Sequence, residues 1–174
     1  MLRIANDMRS VSKRKPTGEE GLVYLYESDF SSGIDNWSEL SGVDVMAGNE
    51  SIGGQSDALR VSCEAAAGKA TQTVIRSLSA LSSGDIVSGN DYEVRLSYYI
   101  PSANDEVLYI SQIGLGNVDT AIDTGAVTTD AWLDKTVTFT ATSTSTVFVI
   151  RMNEDHESGA RDQFYLKNIS VREL

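Results

Sequence analysis

The sequence predicts an all-β protein, folded as a two-sheet antiparallel β-sandwich of the jelly-roll type with about nine strands. Three observations predict this fold class. Runs rich in β-branched and aromatic residues recur roughly every 8 to 15 residues. Apolar and polar side chains alternate within those runs, and only two prolines occur in 174 residues. No segment shows the 3.6-residue period of the crossover helices that a parallel sheet requires.

The chain divides into a flexible basic N-terminal arm, residues 1–20, and one sandwich domain, residues 21–174. The arm has no consistent apolar period, and Pro16 and Gly18 interrupt its only helical pattern. We expect its basic side chains either to anchor the protein to an acidic partner surface or to form a solvated, flexible terminus. These side chains are Arg3, Arg9, Lys13, Arg14 and Lys15.

The rest of the chain is strongly acidic, since the net charge of the whole sequence is -11. An acidic surface repels phosphates, so we predict no direct contact with nucleic acid. No run approaches the roughly 18 apolar residues of a membrane span. We also find no apolar run near the N-terminus of the length that a secretion signal needs.

Alternating residues predict the first strand at 22–30, and Ser31–Gly33 form the turn that follows. Trp37 then begins a second extended segment. Its place directly after a tight turn indicates a core side chain. The segment ends where Gly48–Glu50 and Gly53–Gly54 mark a loop.

A third strand alternates Leu59, Val61 and Cys63 with polar residues, and a fourth covers about 70–78. Cys63 is the only cysteine, so the chain offers it no disulfide partner. Its place among apolar residues indicates a buried, unreactive thiol.

The clearest alternation lies at 91–100, and Pro101 ends it because proline cannot donate to a sheet ladder. Tyr92, Val94, Leu96, Tyr98 and Ile100 face one side, whereas Glu93, Arg95, Ser97 and Tyr99 face the other. Further strands are predicted at 107–114, 135–141, 147–152 and 164–171. A polar loop to about Gly125 follows the first of them, and a loop that holds Trp132 precedes the second. An acidic loop at 153–162 precedes the last.

The last predicted strand contains a conflict of phase. Phe164 and Leu166 lie on one alternation, but Ile169 and Val171 lie on the other. One extra residue near Lys167–Asn168 would bring all four to the same face. The sequence therefore predicts a β-bulge at that point.

The segments Asp29–Trp37 and Phe164–Val171 resemble the opening and closing strands of carbohydrate-binding-module-like jelly rolls. Members of that family often hold a structural Ca²⁺ between an early acidic residue and an aspartate of the closing strand. Lys167 occupies the position that matches this aspartate, and an ammonium group cannot ligate a cation. We therefore predict no metal, with Lys167 placed beside Asp29 or Glu27 instead.

The short tail followed by Tyr26–Ser31 and the glycine turn also resembles small structural proteins of tailed bacteriophages. That resemblance implies a non-enzymatic virion protein, for capsid decoration or associated with the tail, assembled in the host cytoplasm. Its partners would be other virion proteins and further copies of itself. The alternative is a carbohydrate-binding module that recognises glycans, for example in attachment to a host surface.

Glycan recognition needs exposed aromatic rings with polar partners nearby. Tyr99 is the first candidate, because it shares its predicted sheet face with Glu93 and Arg95. Trp132 is the second. Tyr99 serves this role only where it stands exposed on that face, and the alternative for both residues is packing in the core or at its rim.

Catalysis is not predicted, and no cofactor is implied. The single histidine, His156, lies in the acidic segment Asn153–Glu157 and lacks the further nitrogen or sulfur ligands of a catalytic zinc site. Neither His156 nor Cys63 sits in a recognisable nucleophile motif.

Overall fold

The computed structural model of the protein describes residues 22–63, 73–105, 107–153 and 162–174. These ranges form eleven β-strands, and they contain no helix that could span a membrane. The strands are β1 (Tyr26–Ser28), β2 (Trp37–Ser41), β3 (Val43–Ile52), β4 (Gln55–Cys63), β5 (Val74–Ser77), β6 (Asp91–Tyr99), β7 (Ile110–Leu115), β8 (Val118–Ala121), β9 (Trp132–Thr140), β10 (Phe148–Met152) and β11 (Gln163–Glu173).

Two antiparallel sheets hold these strands. The large sheet has the order β3-β4-β11-β6-β9, with β1 also paired to β11, and the small sheet has the order β2-β5-β10-β7-β8. The first and last strands lie side by side, with Tyr26 opposite Val171 and Ser28 opposite Ile169. The predicted all-β antiparallel sandwich is therefore confirmed.

The core lies between the two sheets and collects the apolar side of each alternation. Trp37 is fully buried, as predicted, with its ring 5.2 Å from that of Phe148. Its indole nitrogen donates to the Tyr26 hydroxyl at 2.9 Å, which joins β2 of the small sheet to β1 of the large one. Cys63 is also buried, as the alternation predicted.

The predicted β-bulge in the closing strand is confirmed. The pairing of β11 with β6 shifts register between Lys167 and Ser170, and Asn168 adopts a positive φ of 53°. Leu166 and Ile169 consequently both point into the core. Asparagine suits this position because its side chain tolerates the left-handed conformation.

The structure corrects the predicted strand count. The extended segment after Trp37 changes sheets at Gly42, where φ is +63°, and becomes β2 and β3. The loop predicted at Gly48–Glu50 is wrong, because those residues continue β3 through irregular pairing. The polar strand β8, joined to β7 by a tight turn at Gly116–Asn117, lacked the apolar alternation that reveals a strand.

The first strand is also shorter than predicted. Only Tyr26–Ser28 pair as β1, because the chain then turns at Phe30, where φ is +53°. The Asp35 carboxylate fixes this turn. It accepts hydrogen bonds from the Ser28 hydroxyl at 2.6 Å and from the Phe30 amide at 3.0 Å.

A polar cluster ties the connection between β8 and β9 to the large sheet. The Asp123 carboxylate accepts hydrogen bonds from the Tyr98 hydroxyl at 2.5 Å and from the Lys135 ammonium at 2.6 Å. Lys135 also lies 5.9 Å from the centre of the Tyr98 ring. Burial and the adjacent carboxylate both raise the pKa of Tyr98, so its hydroxyl stays protonated and continues to donate.

Burial raises the pKa of the Cys63 thiol from 9.0 to about 11, which predicts a specific loss of stability at high pH. The unfolded chain releases the thiol proton near pH 9, whereas the folded chain holds it to about pH 11, so unfolding becomes easier as the pH rises through that window. Over two pKa units the effect amounts to about 2 to 3 kcal/mol. We expect Cys63→Ala to remove this part of the slope in urea unfolding at pH 7.5, 9 and 10.5.

Val61→Ala is the matched control, since Val61 faces the same core from the same strand and does not titrate. It should lower the free energy of unfolding equally at each pH. If the Cys63→Ala and Val61→Ala curves run parallel to each other, the thiol does not contribute as described.

Candidate functional site

The candidate site is the outer face of the large sheet, meaning the side chains of its strands that point away from the small sheet. An aromatic row crosses three strands there. Tyr165 of β11 pairs with Tyr99 of β6, and Tyr99 pairs with Trp132 of β9. The centre of the Tyr99 ring lies 6.2 Å from the centre of the Tyr165 ring and 5.7 Å from that of the Trp132 ring. The pairing of the three strands thus brings together three aromatic residues that are at least 33 positions apart in the sequence.

A polar row follows the aromatic row along the strands. Lys167, Ser97 and Asp134 pair in register across β11, β6 and β9. The Ser97 hydroxyl donates to the exposed Asp134 carboxylate at 2.6 Å. This row places hydroxyl, carboxylate and ammonium groups directly beside the rings, which is the combination that sugar hydroxyls require.

Further along the face, the Glu93 carboxylate lies between two guanidinium groups. Arg95 and Arg172 each donate from Nε to Oε1 of Glu93 at 2.7 Å. The hydrogen bond from Arg172, more than that from Arg95, lowers the pKa of Glu93, so the carboxylate remains charged in mildly acidic solution. The cluster fixes both arginines in position while the Arg95 side chain stays 38% exposed.

The turn between β3 and β4 covers the aromatic row. Gly53 and Gly54 form a two-residue turn in which both have positive φ, 58° and 75°. The Trp132 indole nitrogen donates to the Ile52 carbonyl at 3.3 Å. A Cβ atom on Gly53 would lie 2.7 Å from the Tyr99 ring and 3.0 Å from the Trp132 nitrogen. Only glycine permits the turn to approach the rings so closely.

Tyr99 lies under this cover and is only 6% exposed, as the alternative of core or rim packing predicted, and Tyr165 is 8% exposed. The Tyr99 hydroxyl donates to Asp130 at 3.2 Å, and burial raises the pKa of Tyr99. Trp132 remains half-buried, so its ring is the part of the aromatic row that solvent reaches most. A shallow depression of about 520 Å³ lies against the turn, along residues 51–56.

The four residues predicted from sequence, Tyr99, Arg95, Glu93 and Trp132, do share one face of one sheet. Trp132 begins β9 and does not lie in a loop as predicted. Sequence reasoning missed Tyr165, although the alternation of Phe164 and Leu166 before the bulge places it on the opposite face. It also missed the covering turn, although the Gly53–Gly54 pair is a known signal for a two-residue hairpin.

The remaining sequence predictions concern Lys167, a metal site, His156 and the N-terminal arm. The Lys167 ammonium donates to the Ser56 carbonyl at 2.6 Å, so a backbone oxygen stands where we predicted Asp29 or Glu27 as its partner. The described residues contain no cluster of three or more histidine, cysteine, aspartate or glutamate side chains suited to a metal ion. His156 and the arm residues Arg3, Arg9, Lys13, Arg14 and Lys15 lie outside the described residues.

No protein-family model matches the chain. No curated protein matches it either.

Solved structures do resemble the fold. The xylan-binding CBM22-1 domain of Paenibacillus barcinonensis Xyn10C superposes with a TM-score of 0.58 at 12% identity, covering 90% of this chain and 97% of that one. CBM27-1 of Caldicellulosiruptor saccharolyticus, in complex with mannohexaose, gives a TM-score of 0.60 at 13% identity, covering 86% and 96%.

The CBM22-1–GH10 modules of Clostridium thermocellum Xyn10B, complexed with xylohexaose, give a TM-score of 0.56 at 14% identity. This match covers 87% of the present chain but spans only 28% of that longer one. At such identities the likeness establishes the fold alone. The chain therefore has the jelly-roll sandwich fold of carbohydrate-binding modules.

The close approach of Gly53 to the rings predicts how the cover can be opened. In Gly53→Ala the new methyl group meets Tyr99 and Trp132, so the turn must move away and expose Trp132. We expect acrylamide to quench tryptophan fluorescence more strongly in this variant. Trp37 is fully buried, so Trp132 supplies most of the quenchable signal.

Gly54→Ala provides a matched control, since Gly54 shares the positive φ but a Cβ there meets nothing within 4 Å. Both variants carry the backbone strain, and only Gly53→Ala carries the collision. Equal quenching in the two variants would show that the turn does not cover Trp132 in solution.

Proposed function

We propose that the protein is a non-catalytic carbohydrate-binding module whose outer face on the large sheet holds a glycan chain. The observation that carries this proposal is the aromatic row of Tyr165, Tyr99 and Trp132 beside the polar row of Lys167, Ser97 and Asp134. Support comes also from the fold, which resembles those of a xylan-binding domain and of a module complexed with mannohexaose.

The face suits a glycan without net charge. The residues at paired positions of this face include four basic side chains and five acidic ones, so their charges nearly cancel, whereas the whole chain carries a net charge of -11. An acidic polysaccharide would be repelled by the rest of the molecule. The basic residues are Arg60, Arg95, Lys167 and Arg172, and the acidic ones are Glu27, Glu50, Asp91, Glu93 and Asp134.

In this proposal Trp132 supplies the apolar contact and its neighbours supply hydrogen bonds. The accessible part of the indole ring stacks against one face of a sugar ring. Asp134 accepts hydrogen bonds from sugar hydroxyls, and Arg95 donates to them from a fixed position beside Glu93. Tyr99 and Tyr165 are buried and do not contact the glycan. Their role is to pack against Trp132 and hold it in place.

The virion role predicted from the sequence has no support from these comparisons. Its anchoring arm lies outside the described residues, and none of the solved structures named above is a capsid or tail protein. A virion location, with attachment to a host-surface glycan, therefore stays a prediction that copurification with phage particles would test.

Binding should depend on Trp132 and Asp134. A panel of soluble neutral and acidic polysaccharides, screened by affinity gel electrophoresis, should show retardation by a neutral polysaccharide. We expect Trp132→Ala and Asp134→Ala each to weaken binding at least tenfold by titration calorimetry, since one stacking contact or charged hydrogen bond contributes about 1.5 kcal/mol or more.

Tyr109→Ala is the control, because Tyr109 is a half-buried aromatic residue just before β7 in the other sheet. It should leave affinity unchanged. The proposal fails if no polysaccharide binds, or if Tyr109→Ala and Trp132→Ala weaken binding equally.

A further inference from the structure

Strand β9 forms an open edge of the large sheet. It pairs with β6 over nine consecutive residues without a register shift, from Trp132 opposite Tyr99 to Thr140 opposite Asp91. In the part of the chain that the structure describes, no strand pairs with its other side. The opposite edge of the sheet differs, because the pairing of β3 with β4 shifts register three times. Such irregularities discourage pairing with another chain, and β9 has none of them.

The side chains of β9 also favour pairing. Thr136, Thr138 and Thr140 stand exposed on the outer face, and Val137 and Phe139 are half-buried on the core side. These residues fit a β-strand well, and no proline interrupts them. The strand therefore presents a regular edge over its C-terminal half.

The two charged residues of β9 do not protect this edge. Natural proteins often use charges on an edge strand to prevent pairing. Here the Asp134 carboxylate accepts the Ser97 hydroxyl at 2.6 Å, and the Lys135 ammonium donates to Asp123 at 2.6 Å. Both charges are thus held against the strand's own subunit, near its N-terminal end.

We propose that β9 pairs with β9 of a second copy of the chain, antiparallel about a two-fold axis at Thr138. This register sets Thr138 opposite the partner's Thr138 and Thr136 opposite the partner's Thr140. On the core side, Val137 lies opposite the partner's Phe139. Threonine pairs and aromatic pairs with β-branched residues are among the favourable cross-strand combinations.

A two-fold axis at Thr136 would give less favourable cross-strand pairs than the axis at Thr138. An axis at Thr136 would set Lys135 opposite the partner's Val137, which places an ammonium group against an apolar side chain. The axis at Thr138 moves Asp134 and Lys135 to the ends of the paired segment, where no like charge faces them. Self-complementarity of this kind is what a two-fold interface requires, and it identifies a second copy as the occupant.

The pairing would join two outer faces into one. The large sheets of both copies become a single continuous sheet, and each copy contributes a Trp132 and an Asp134. This consequence rests on the proposed function, whereas the pairing itself does not. A polysaccharide long enough to reach both sites would bind more tightly than to one copy, without any new contact.

The first test is the oligomeric state of the full chain by analytical ultracentrifugation. We expect a dimer, and we expect Thr138→Lys to raise its dissociation constant at least tenfold, since two lysines would then face each other. Ala121→Lys is the matched control on β8, an exposed edge position of the small sheet. A wild-type monomer, or a dimer that persists in Thr138→Lys, would overturn the proposal.

The second test fixes the register. Cysteine at position 138 should cross-link two copies on mild oxidation, because Cα atoms of opposed residues lie about 4.5 to 5.5 Å apart. Thr136→Cys should not cross-link with itself, since the register sets it opposite the partner's Thr140. Cys63 is fully buried and does not compete. Cross-linking through Thr136→Cys but not Thr138→Cys would overturn this register.

Discussion

The change of phase in β11 at Asn168 is the constraint on which both the core and the candidate site depend. This strand lies in the middle of the large sheet and pairs with β1, β4 and β6. Because Asn168 adds one residue, Leu166 before it and Ile169 after it both enter the core. The same shift directs Arg172 to the outer face, where it meets Glu93. A regular strand would place two aliphatic side chains on that face and a guanidinium group in the core.

The outer face combines a rigid part with an accessible part. Tyr99 and Tyr165 are buried beneath the turn of β3 and β4, where the hydroxyl of Tyr99 is held by Asp130 and that of Tyr165 by Gln163. Their rings support Trp132, and the Ile52 carbonyl fixes the indole nitrogen. In the proposed function, Trp132 would therefore lose little side-chain entropy on binding a glycan.

Two-residue alternation is a strong signal wherever one face of a strand is buried, and there the sequence predicted the fold well. It placed Glu93, Arg95 and Tyr99 on one face and located the bulge in β11 from the conflict between Leu166 and Ile169. Alternation could not reveal β8, whose side chains are polar or small and largely exposed. Nor could it reveal the cover over Tyr99, because burial there comes from a turn more than 40 residues earlier in the chain.

The open edge of β9 agrees with the function proposed for the face to which it belongs. A loop or helix that shielded this edge would also cover Trp132, Asp134 and the row of threonines on the outer face. Charges that blocked pairing would have to point outward, yet Asp134 is turned toward Ser97 and Lys135 toward Asp123. Under the proposed function this face must remain accessible to a long glycan, and its edge strand is therefore left unprotected by the usual means. Pairing with a second copy is the one form of protection that extends the face without covering it.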